Sequence, residues 1–94
     1  QAIRDFNKTI QLDSLHAKAY NNRGLVFSVL HNDEQAIMDY NKAIQINPEY
    51  PDAFLNRGIS YFNLNKINMA CKDWNIAGQM NQARALQLLN KYCN

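Results

Sequence analysis

Small and aromatic residues recur along this chain at steps of three and four, the spacing that gathers them on one face of a helix. Tyr20, Arg23, Gly24 and Phe27 form one such series, and Ala36, Tyr40, Ala43 and Ile44 form the next. Between the two, His31-Asn32-Asp33 interrupts the pattern with turn formers, and Asp33 is placed to cap the helix that follows. Asn65-Lys66 does the same later, asparagine tolerating left-handed backbone better than most residues. Asn47-Pro48 ends a helix, because the residue before a proline is pushed out of helical geometry. Pro51 then suits a first helical position, where no N–H is required. The pattern predicts helices near 1–12, 17–30, 33–46, 51–64, 67–80 and 83–93.

These helices repeat. A shift of 34 residues lays Ala17–Tyr50 on Pro51–Arg84. Ala19, Asn22, Arg23 and Gly24 then meet Ala53, Asn56, Arg57 and Gly58, while Ala36, Asp39, Asn41 and Ala43 meet Ala70, Asp73, Asn75 and Ala77. Tyr40 meets Trp74, and Phe27 meets Tyr61. The same shift matches QAIRDFNKTIQL at the start with QAIMDYNKAIQI from Gln35. A fixed period of this length marks a stack of similar units. The chain divides into the second half of a repeat (1–16), two full repeats (17–50 and 51–82) and a closing helix (83–94). Starting inside a repeat and without methionine, it reads as the C-terminal fragment of a longer protein.

Glycine inside a helix costs about 1 kcal/mol relative to alanine, yet Gly24 and Gly58 recur in phase. Placed opposite Ala36 and Ala70 on antiparallel partners, they let two helices approach while Tyr40 and Trp74 pack alongside.

The series running from Ala19 through Tyr20-Asn21-Asn22-Arg23-Gly24, then Ala36, Tyr40, Ala43 and Pro48, resembles the tetratricopeptide repeat (TPR), and Ala53 to Asn81 repeats it. Two departures stand out. Arg23 and Arg57 stand where the family often has leucine, and Gln82 stands where the first repeat has its proline, which points to a looser or shorter last connection. The ending, from Ala70-Cys71-Lys72-Asp73-Trp74 to Lys91-Tyr92-Cys93, resembles the C-termini of many bacterial TPR proteins. The resemblance implies an all-α fold, a right-handed α-solenoid of antiparallel helix pairs with a C-terminal capping helix. It also implies a non-catalytic scaffold or adaptor for protein–protein interaction.

In such a stack the first helix of each pair lines a concave wall. Its inward positions are Lys18, Asn21, Asn22, Leu25, Ser28 and Val29 in one repeat. Asp52, Leu55, Asn56, Ile59, Phe62 and Asn63 take the same positions in the next. An asparagine amide both donates and accepts, which suits an extended peptide backbone; the resemblance implies a ladder of this kind at Asn22 and Asn56, although either residue could equally be a solvated surface amide. Leu25 and Ile59 fit either an apolar groove floor or packing between repeats. With those two in place and Lys18 as the nearby cation, no carboxylate-gripping clamp is expected. A spacer or assembly segment without a ligand is the competing function.

Composition narrows the choices further. Ten basic and eight acidic residues leave a net charge of +2, spread without runs, so the basic stripe of a nucleic-acid binder is missing. No apolar run approaches the length of a membrane span. No cofactor or metal motif and no nucleophile–base grouping appears. His16, at the start of a helix, and His31, in a turn, read as solvated. Cys71 and Cys93 flank the turn near Asn81-Gln82 at similar distances, so a disulfide across an antiparallel hairpin is feasible and would imply an exported or periplasmic protein. Two buried thiols in a cytoplasmic protein are the alternative. The tail carries an apolar stripe of Ala85, Leu86, Leu89 and Tyr92, suited to closing the stack. At the other end Ala2, Phe6 and Ile10 are left without a covering helix, and self-association through them, or borrowing of a neighbour's helix, is expected.

Overall fold

The computed structural model describes residues 2–93, with side chains from residue 15 onward. Five helices follow one another: α1 (Ala2–Val29), α2 (Asp33–Ile46), α3 (Pro51–Asn63), α4 (Ile67–Gln79) and α5 (Ala83–Tyr92). No strand occurs among the described residues. Each helix packs mainly on its neighbour in sequence, and α1 also touches α3. The result is a stack of helix pairs, 52 Å in its longest dimension and 16 Å in its shortest. It is an α-solenoid rather than a closed bundle.

Four of the helices lie where the periodicity places them, within a residue at each end. The first two do not separate. The segments expected at 1–12 and 17–30 form the single helix α1. The physical reason lies in the connection. Pro48 and Pro51 break the chain between α2 and α3, but 34 residues earlier those positions hold Ser14 and Ala17. Neither residue removes an N–H or clashes with the preceding turn, so nothing stops the helix. The uncovered positions Ala2, Phe6 and Ile10 lie outside the described side chains.

Three turns share one geometry. The connections after α1, α3 and α4 each span three residues, and the middle one is left-handed: His31 at φ 63°, Asn65 at φ 67° and Asn81 at φ 66°. Asparagine supplies this conformation cheaply at two of them. At the first turn it is Asn32, not Asp33, that caps α2, its side chain accepting from the Gln35 backbone N–H at 3.3 Å. Asp33 is instead buried in the first turn of α2, where it accepts from Ser28 Oγ at 3.1 Å and Asn63 Nδ2 at 3.3 Å. This ties α1, α2 and α3 together at one level.

The core follows the repeat. Ala36, Tyr40 and Ala43 are fully buried in one unit, and Ala70, Trp74 and Ala77 in the next. The two glycines leave room for the rings. A Cβ built on Gly24 would stand 2.5 Å from Tyr40 Cε1, and one on Gly58 would stand 2.5 Å from Trp74 Nε1. Trp74 also donates its Nε1–H to the Leu55 carbonyl at 3.2 Å.

Arg23 and Arg57, the departures from the family leucine, each meet a carboxylate 16 residues on. Arg57 donates through Nε and Nη2 to both oxygens of Asp73, at 2.8 Å each. Arg23 grips Asp39 in the same way, at 2.8 and 2.7 Å. Both aspartates are buried, so the planar guanidinium supplies the paired donors that a carboxylate withdrawn from water requires. The guanidinium of each arginine lies over aromatic rings, that of Arg23 over Tyr20 and Phe27 and that of Arg57 over Phe54 and Tyr61. The leucine position is thus occupied by an ion pair that still covers apolar surface.

At the C-terminal end, α5 closes the stack. Ala85 is fully buried, Leu88 and Leu89 pack against the core, and the Tyr92 ring lies 4.6 Å from that of Phe62. Leu86 is half exposed yet approaches Gly78. The sulfurs of Cys71 on α4 and Cys93 just beyond α5 stand at bonding distance, their Cα atoms 5.7 Å apart.

Candidate functional site

The inner wall is formed by the first helices of successive pairs, α1 and α3, and by the start of α5. A cavity of about 430 Å³ opens there, lined by Lys18, Asn21, Asn22 and Leu25 of α1 and by Asp52, Leu55 and Asn56 of α3. Tyr50, Gln82 and Arg84 complete it. Seven of the twelve inward positions read from the sequence therefore meet in one concavity.

Its floor is prearranged by a short chain of hydrogen bonds. Asn56 Nδ2 donates to Asn21 Oδ1 at 3.0 Å, and Asn21 Nδ2 donates to the Tyr50 hydroxyl at 3.3 Å. Asn21 is only 5% exposed, and Leu55 beside it is 7% exposed. Both are therefore floor and support rather than free contact groups. Partial burial raises the Tyr50 phenol above its ordinary pKa, while the bond from Asn21 opposes that shift. The ring stays neutral and keeps its hydroxyl available as an acceptor.

The free groups stand around this floor. Asn22 is exposed and its amide makes no hydrogen bond among the described residues. Lys18 and Arg84 are exposed, and Leu25 is 39% exposed. Asp52 is engaged, its carboxylate accepting from Gln82 Nε2 at 2.9 Å. The remaining positions lie apart from the cavity. Val29 projects into solvent, Ser28 and Asn63 bond to Asp33, and Ile59 and Phe62 pack against the core near α5.

Arg84 is a second cation on this wall beside Lys18, at a position the 34-residue shift does not indicate. The turn before α5 explains it. The residues preceding α3 and α5, Tyr50 and Gln82, are 32 rather than 34 apart. Gln82 caps α5 with its own side chain, accepting from the N–H groups of Arg84 and Ala85 at 2.8 and 3.2 Å. This tighter connection places Arg84 in line with Asp52 and Lys18 along the wall.

Stacked helix pairs closed by a left-handed turn, with glycine against a ring and a wall of first helices, identify the architecture. Residues 32–65 match the model of the TPR repeat. This segment is similar to the TPR repeat. That match spans α2, the following connection and α3 with its turn, the segment in which a second helix is succeeded by the first helix of the next unit. No curated protein matches the sequence. TPR repeats typically serve as protein–protein interaction scaffolds and are in general non-catalytic. Among the described residues no three potential metal ligands come together, and no helix is long and apolar enough to cross a membrane.

Proposed function

We propose that this TPR chain is an adaptor that holds an extended segment of a partner protein against the wall formed by α1, α3 and the start of α5. One observation carries the reading: a 430 Å³ concavity in which Asn22 is unengaged while Asn21 and Asn56 are fixed beneath it. A free amide above a hydrogen-bonded floor pairs with a peptide N–H or carbonyl at little ordering cost. Lys18 and Arg84 favour an acidic side chain on the segment, and Leu25 favours an apolar one next to it. The competing reading is a spacer without a ligand, and the exposed outer side of α1 is the observation in its favour.

The test is direct. Peptides selected from a library of extended sequences are titrated against the native chain and against Asn22→Ala and Arg84→Ala. Each substitution is expected to weaken binding by about 1 kcal/mol, roughly fivefold. Equal affinity of all three proteins for every selected peptide would remove the groove as the binding site.

A further inference from the structure

The outer side of α1 is built to be covered and is not. Positions 34 residues apart make the comparison. Ala53 and Ser60 of α3 are fully buried, while their counterparts on α1, Ala19 and Val26, are exposed, Val26 by 57%. The Arg57 side chain is 19% exposed against 60% for Arg23. Leu30 is 68% exposed, whereas Leu64 is partly buried. A concavity of about 300 Å³ lined by His16, Ala19, Tyr20 and Arg23 marks the same face.

What covers α3 is α2. The contact is specific, since Arg57 donates through Nη1 to Asn41 Oδ1 at 2.8 Å. Arg23 spends Nε and Nη2 on Asp39, as Arg57 does on Asp73, and its Nη1 has no partner among the described residues. The sequence that would supply one is present. Residues 1–12 repeat the α2 sequence at the 34-residue shift, and Asn7 stands where Asn41 does. They cannot reach this face within one chain while α1 is continuous, because 16 residues of helix separate Asn7 from Arg23 by about 24 Å.

We infer that two copies of this chain exchange these segments, residues 1–12 of each lying antiparallel along the outer face of the other's α1. The register is fixed by Asn7 of one copy on Arg23 of the other. The two-fold axis then passes midway between these positions, at Leu15, which is 55% exposed. The contact is isologous, so it closes at two copies and does not propagate. The straight passage through Ser14 and Ala17 is the opened hinge of the exchange. This surface is separate from the inner wall, so its fate is independent of the peptide-binding proposal.

Light scattering on the 94-residue chain across a dilution series tests it. The mass is expected to rise reversibly to twice the 10.9 kDa of one chain. Val26→Glu, at an exposed position, should hold the mass at one chain with helix content unchanged, while Asn22→Ala should leave the twofold mass intact. In an Asn7→Cys/Arg23→Cys variant, peptide mapping should find the 7–23 bond between chains. A single-chain mass at every concentration, a twofold mass that survives Val26→Glu, or a 7–23 bond within one chain would each overturn the exchange.

Discussion

Arg57 and Asp73 are joined by two parallel hydrogen bonds of 2.8 Å, with the aspartate buried and the arginine side chain only 19% exposed. Loss of one partner leaves the other charge desolvated without compensation. Asp73→Ala is expected to destabilise the chain by about 3 kcal/mol in urea unfolding. In the single-chain Val26→Glu background, the equivalent Asp39→Ala should cost less, because Arg23 remains in solvent when its partner goes. Equal losses at the two sites would show that burial of the arginine is not what sets the strength.

Glycines that look alike in the sequence should differ on substitution. Gly58→Ala forces a methyl group against Trp74, which is 1% exposed and anchored to the Leu55 carbonyl. Overpacking of this kind costs about 1–3 kcal/mol, more than the gain of about 1 kcal/mol in helix propensity. Gly78→Ala meets Leu86 Cδ2, the end of a half-exposed side chain that can turn away. Thermal melts should show a lower Tm for the first variant and little change for the second.

Tyr40 is fully buried, and burial is the main cause that holds its phenol well above the ordinary value of 10.0. Below about pH 10 both folded and unfolded chains keep this proton, so it gives no pH dependence. Above that, the unfolded chain releases it first, and stability falls as pH rises. Alkaline titration followed by tyrosine absorbance should show one tyrosine ionising only as helix content collapses. A full complement of ionised tyrosines in a folded chain would contradict this.

Cys71 and Cys93 enclose a loop with a sequence separation of 22. The native protein should show no thiol reactive to maleimide without reductant. Reduction should then lower stability by about 3 kcal/mol, from the chain entropy released in the unfolded state. Loosening should be concentrated in α5, which hydrogen exchange can follow residue by residue.

Much of the solenoid could be read from the sequence because one period governs it. Four helices, the aromatic–glycine contacts and the wall of Lys18, Asn21, Asn22, Asp52 and Asn56 all follow from the 34-residue shift. The misreadings come where that shift was followed past a change in the residues. Ser14 and Ala17 lack the break that Pro48 and Pro51 enforce, so α1 runs on. The last connection is two residues shorter, in keeping with the missing proline at Gln82, and it brings to the wall Arg84, a cation that the 34-residue shift does not indicate. The arginine–aspartate pairs show in the sequence only as a recurring separation of 16 residues, which by itself does not say that the two side chains meet across a helix pair.

The claim that matters most is that ligand lies against the inner wall, and chemical-shift mapping with a selected peptide examines it residue by residue. The largest shifts are expected on Asn22, Leu25 and Arg84, together with the side-chain amides of Asn21 and Asn56. Shifts confined to Ala19, Val26 and Leu30 on the opposite side of α1, with the wall unmoved, would contradict it.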